Sequence, residues 1–143
     1  MAGNESVDLE GTLRTKGQTG SVPYPSSVGR RWRFYATAAG NRPAKDFIDR
    51  LGDADAAAIA AAMLDVRKNG LGVARHLGEL YEVRADGIDA SYRLLFAEEG
   101  AKGRILLALS AFSKKTQRTP PQAIALASRR LADWRARSSY KRL

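Results

Sequence analysis

The chain has no cysteine and a single histidine, His76, among its 143 residues. Without cysteine there is no disulfide framework, thiolate metal site or thiol nucleophile, and one imidazole cannot build a multi-histidine zinc site. Long apolar runs are missing too. No stretch approaches the ~20 residues needed to cross a bilayer, and the N-terminus lacks the apolar core of a signal peptide. Acidic side chains are few, 15 against 24 lysines and arginines, and they are scattered rather than clustered at metal-ligand spacing. No glycine-rich phosphate loop precedes a helix, which argues against nucleotide hydrolysis. Together these absences predict a cytoplasmic protein that needs no membrane and no cofactor.

Positive charge is what the chain does have, unevenly placed. The formal net charge is +9 and the isoelectric point about 10.3, which favours a polyanionic partner. Residues 1–29 carry Arg14 and Lys16 against Glu5, Asp8 and Glu10, and residues 30–109 are close to balance. Residues 110–143 carry nine basic side chains against Asp133 alone. A solubilising charged helix would have the same composition, so the argument turns on where the cations sit.

Residues 1–29 are rich in Gly, Ser, Thr and Pro without a sustained period and read as a flexible tail ahead of one domain, residues 30–143. Trp32 and Phe34 alternate with Arg31, Arg33 and Tyr35, the pattern of a strand. It fits a strand with a core face and a solvent face, or an aromatic–basic surface that stacks on RNA bases. Asn41 as N-cap and Pro43 in the first turn open a helix with the stripe Ala44, Phe47, Ile48 and Leu51. Gly52 ends it, and Asp53 caps an alanine-rich helix with Ile59, Met63 and Val66 on one face, stopped by Gly70. The pair reads as a helical hairpin. Residues 71–78 read as irregular; His76 there is either a general base, since imidazoles titrate near neutrality, or an ordinary loop histidine.

Three strand candidates follow, at residues 80–84, 92–96 and 104–112. Asp86 and Gly87 mark the first turn between them, and a glycine-flanked stretch marks the second, giving an antiparallel meander. Thr119 is the expected cap of a terminal helix with Pro120 and Pro121 at its start and Ile124, Ala127, Leu131 and Trp134 as its apolar stripe. The order βααβββα describes an α+β domain, a small and mostly antiparallel sheet with an N-terminal helical hairpin and a C-terminal helix.

The last strand is apolar throughout and then breaks into a turn holding Lys114, Lys115, Thr116, Gln117 and Arg118. A buried strand ending this way gives positive charge a rigid base. Strand parity puts Glu82 and Arg84 on one face, within reach of Arg93 and of the turn. Cations gathered on one face repel one another unless an anion sits there, which suggests a phosphate site. The alternative is that Glu82 pairs internally with Arg84 or Arg93. With no metal or phosphate-loop motif, metal-free phosphoryl chemistry on RNA remains, in which the substrate's own 2′-hydroxyl attacks.

The succession W-R-F-Y, helical hairpin, L-Y-E-V-R, Y-R-L-L-F, then A-F-x-K-K-T-x-x-T-P and a basic helix resembles the RelE/ParE toxin superfamily over residues 31–134. It is most similar to the HigB-type, phage-derived branch of type II toxin–antitoxin systems. That resemblance implies a RelE-like fold and an endoribonuclease that cuts messenger RNA on the ribosome, leaving a 2′,3′-cyclic phosphate and a 5′-hydroxyl without metal. By position it implies that Arg84 contacts the scissile phosphate. Lys114 and Lys115 would stabilise the transition state or protonate the leaving group, and Arg93 would act in catalysis or support the site. Arg118, Arg129, Arg130, Arg75 and His76 complete the expected RNA-binding surface. RelE itself has an acid–base tyrosine in its C-terminal segment; Pro121 and Gln122 stand near that place here, and Tyr140 lies too far along to substitute for it. A cognate helix-turn-helix antitoxin is the implied partner, with an acidic segment to cover the basic site. Two other readings share these features: a ParE-like toxin acting on DNA gyrase, and a non-catalytic nucleic-acid-binding module.

Overall fold

The most apolar run of the chain, β5 (Ile105–Ser113), lies inside a five-stranded sheet with strands on both sides. The computed structural model describes residues 29–142, so apart from Gly29 the expected tail lies outside the described residues. The other strands are β1 (Arg31–Phe34), β2 (Arg75–Leu77), β3 (Leu80–Asp86) and β4 (Ser91–Glu99), in the spatial order β1-β5-β4-β3-β2. β1 runs parallel to β5, and every other pair is antiparallel. Helices α1 (Pro43–Asp49) and α2 (Asp53–Asn69) cover one face and α3 (Pro121–Arg142) the other. This is the expected α+β architecture.

Each face has its own core. Ile59, Met63 and Val66 of α2 pack on Val83, Leu94, Phe96 and Leu106. The Trp32 indole N–H donates to the Met63 carbonyl (2.8 Å), and the ring meets Phe96 edge-on at 4.9 Å. The aromatic face of β1 is therefore core and offers no platform for bases. On the other face Leu80, Leu95, Leu107 and Leu109 meet Ala127 and Leu131 of α3, with Ile124 and Trp134 against them. Arg33 lies over the Trp134 ring at 5.3 Å, a cation–π contact that fixes β1 to α3.

A one-residue irregularity sets which way the end of β5 faces. Leu95 is opposite Ser110 and Phe96 opposite Ala108, so Leu109 is the extra residue of a β-bulge. Along a regular strand Leu106, Ala108, Ser110 and Phe112 would share a face. The bulge changes the phase: Leu106 and Ala108 join the α2 core, while Phe112 packs toward α3. Phe112 consequently stands directly across from Arg93, which stands across from Arg84.

Three local features depart from expectation. The stretch read as irregular contains a 3₁₀ turn and then β2, which folds back on β3 around Gly78 (φ 64°) and pairs Arg75 with Glu82. Three residues are too few to show a strand period. Arg42, not Asn41, occupies the N-cap of α1, and Gly52 that of α2, neither with a side-chain cap bond. Asp53 is the first helical residue of α2, where its charge complements the helix dipole.

Asp55, one turn into α2, is buried and holds the β3–β4 hairpin. It accepts from the Ile88 N–H (2.5 Å), the Asp89 N–H (3.1 Å) and the Tyr92 hydroxyl (2.5 Å). A Cβ on Gly87 would collide with the Asp55 carboxyl group, which is why glycine stands there. The Tyr92 bond foremost, with the backbone amides of Ile88, Asp89 and Ala90, holds the Asp55 carboxyl below its ordinary value of 3.8 against the opposing effect of burial. The same bond, then burial, pushes Tyr92 up to about 12. The Asp55 contribution to stability is thus complete above the ordinary carboxylate value and is lost as pH falls through the depressed one. The Tyr92 contribution is complete below 10.0 and is lost as pH rises through about 12. Thermal melts should show the Asp55→Asn variant well below the parent at pH 7 and closer to it at pH 3; an unchanged gap would count against this role.

Candidate functional site

The turn at residues 114–119 is held from beneath by buried charge. At its start the Lys114 N–H donates to the Ser91 carbonyl (2.7 Å). Arg93 then donates through Nη2 to the carbonyls of Thr116 and Gln117. The Thr119 hydroxyl donates to Glu82 Oε2 (2.5 Å) and accepts from Arg93 Nη1 (3.4 Å). Glu82 and Arg93 are each 1% exposed, and Thr119 is 4% exposed. A buried ion pair is tolerable only when its remaining donors and acceptors find partners. Here the carbonyls of the turn take Arg93 Nη2 and the Thr119 hydroxyl takes Glu82 Oε2, while Arg93 Nε and Glu82 Oε1 are left without a hydrogen bond, so burying the pair and fixing the turn are coupled.

Two expectations change as a result. Arg93, expected in catalysis or support, is buried beneath the turn with its guanidinium on the turn's carbonyls, a placement that fits support. Thr119 does not cap α3: the carbonyl of Pro120 accepts from the N–H groups of Ala123 and Ile124, and Thr119 turns inward to Glu82.

Above this base stand the exposed cations. The Arg84 side chain, 41% exposed, reaches the Gln117 carbonyl at 3.3 Å and has Nε 3.6 Å from Glu82 Oε1. Both contacts are long, so its guanidinium is oriented without being saturated. Lys114 is half-buried, and Lys115 and Arg118 are exposed. Among the described residues none of these three pairs with an acid. Glu82 is already matched by Arg93, and Asp86, further along β3, accepts from the Ser91 hydroxyl at 2.7 Å. Arg75 joins the group, since it pairs with Glu82 across β2 and β3 and therefore shares its face. An open groove of about 680 Å³ between β3 and α2 is lined by Arg75 and Arg84 together with the acids Asp65, Glu82 and Asp86, so it is not itself a cationic pocket.

The other expected residues separate from this cluster. His76 pairs with Tyr81 on the opposite face of the sheet, its ring stacked on Tyr81 at 4.7 Å and Tyr81 on Phe96 at 5.5 Å. That placement gives it no route to the turn. Arg129 is exposed on α3. Arg130 donates to the Leu109 carbonyl (2.8 Å), and burial pushes its guanidinium below its usual value. Two more arginines of α3 have structural partners: Arg135 bridges Glu79 and Glu99 at 2.8 Å each, and Arg137 pairs with Asp133 at 2.7 Å.

Glu82 is the residue whose importance the sequence understated. Its spacing from Arg84 showed a possible pair, but not that Arg93 and Thr119 would close around it. Among the described residues no three of His, Cys, Asp and Glu gather closely enough to hold a metal ion, and no helix is long and apolar enough to cross a membrane.

Residues 46–132, more than half of the chain, match the family described as "phage derived protein Gp49-like". The matched segment runs from within α1 to within α3 and includes the meander, the buried triad and the whole cationic turn. No curated protein matches the chain.

Proposed function

The chain belongs to the phage-derived Gp49-like family, part of the RelE/HigB-type toxin group associated with toxin–antitoxin systems, and we propose that it is an mRNA interferase. The observation that carries this reading is the cationic turn, held over the Glu82–Arg93–Thr119 triad with Arg84 at its side and, among the described residues, no acid paired to its lysines. Such a site suits a phosphodiester whose reaction needs orientation and charge stabilisation.

In the proposed reaction the 2′-oxygen of the substrate attacks the adjacent phosphorus and loses its proton to solvent. The bond to the 5′-oxygen breaks, giving a 2′,3′-cyclic phosphate and a 5′-hydroxyl. Arg84 neutralises the scissile phosphate, and Lys114 and Lys115 meet the growing charge and protonate the leaving oxygen. Arg93 holds the turn, while Arg75, Arg118 and Arg129 contact flanking phosphates. The substrate is messenger RNA on the ribosome in the cytoplasm. The toxin group implies an antitoxin, here a small helix-turn-helix repressor encoded nearby, whose acidic segment covers the turn.

A substrate with a single 2′-deoxynucleotide at a mapped cut tests the chemistry. Cleavage should vanish at that position and persist at others. A nuclease that activates water would cut the deoxy position as well.

A further inference from the structure

A second cavity, of about 350 Å³, opens on the other side of the turn's parent strand. β1 pairs with β5 only as far as Ala108, and beyond that point α1 and α3 flank the open edge of β5. Arg50 and Arg130 face the cavity, and Pro43, Phe47, Phe112 and Leu126 form much of its wall. Its size falls in the range of small-ligand sites, about 300–1,000 Å³.

The lining contains two guanidinium groups and no carboxylate. Among the described residues the Arg50 side chain has no salt-bridge partner. Arg130 engages one nitrogen on the Leu109 carbonyl, and a guanidinium has five N–H donors. Two cations facing one open cavity favour an anion between them, and guanidinium forks match phosphate oxygens. The phenylalanines add aromatic surface, the usual platform for a base. Phe112 lies two residues before Lys114, so the cavity adjoins the cationic turn.

We propose that this cavity is a nucleotide subsite: Arg50 and Arg130 take the phosphate of a nucleotide next to the scissile one, and its base lies against Phe47 and Phe112. The subsite rests on the reading of the turn as an RNA-cleaving site. It explains why cations continue past the turn on the side away from Arg84.

The test is an NMR titration of the full chain carrying Lys115→Ala, with adenosine 5′-monophosphate, inorganic phosphate and a glutamate-rich peptide as separate probes. The nucleotide should shift the ring signals of Phe47 and Phe112 together with the Arg50 side chain. Arg50→Ala, at an exposed position, should weaken its binding by about tenfold to a hundredfold, the worth of a charged hydrogen bond. Equal responses to phosphate and nucleotide without ring shifts would reduce the cavity to an anion site and overturn the proposal. Binding of the peptide but not the nucleotide would make it a protein-docking surface, and no response at the cavity would also overturn it. Because the readout is binding, loss of the subsite and loss of the cleavage reading are separate results.

Discussion

Replacing Lys115 or Arg84 with alanine should abolish growth arrest while the protein stays folded. Lys115 is exposed and has no salt-bridge partner among the described residues, so its removal disturbs no packing. Its expected role is to meet charge that develops in the transition state. Removing one such group typically lowers the rate by about 10²–10³, enough to turn arrest into normal growth. Arg84 should show a loss of the same order with some loss of stability, because Glu82 Oε1 makes no hydrogen bond and has Arg84 at 3.6 Å. Growth curves after induction, with thermal melts of the purified variants, read both quantities. A folded Lys115→Ala protein that still arrests growth would remove the turn from the chemistry.

The second large effect is on stability. Glu82→Ala leaves Arg93 buried without its counter-ion, and breaking a buried pair in this way costs about 3–5 kcal/mol. That is a large share of the about 5–15 kcal/mol by which domains are stable, so the variant should melt early and lose activity with its fold. A combined replacement separates positioning from packing. Changing Glu82→Leu, Arg93→Met and Thr119→Val together removes the charges and the buried hydroxyl while keeping the volume, and such swaps are often neutral or stabilising. The triple variant should regain most of the parental stability and still fail to arrest growth, since the carbonyls of Thr116 and Gln117 have lost the donor that fixes them. A stable and fully active triple variant would show that the turn needs no anchoring.

The same cluster shows what was legible in the sequence. The stripes Ala44, Phe47 and Ile48, and Ile124, Ala127, Leu131 and Trp134, give the helices and their core-facing sides, because periodicity is a local property, although α1 ends at Asp49 and Leu51 packs on the core from beyond it. Asp86 and Gly87 mark the hairpin for the same reason, although only the structure shows that Gly87 is required by the approach of Asp55. Long-range features were not legible. The bulge at Leu109 has no composition of its own, yet it decides that Phe112 faces Arg93. β2 is too short to carry a period and exists because β3 offers it an edge. Thr119 has the composition of a cap, but a buried carboxylate 37 positions earlier in the chain competes successfully for its hydroxyl. His76 differs from Arg75 by one position, and that single step along a strand puts it on the far side of the sheet.

Mapping of RNA 5′-hydroxyl ends after brief induction in cells tests the central claim most directly, with the parent compared against Lys115→Ala. The account predicts new 5′-hydroxyl ends within messenger RNAs, placed by codon, in the parent and none in the variant. Growth arrest with DNA-damage signalling and no new RNA ends would contradict it and identify a gyrase-directed toxin on the same fold.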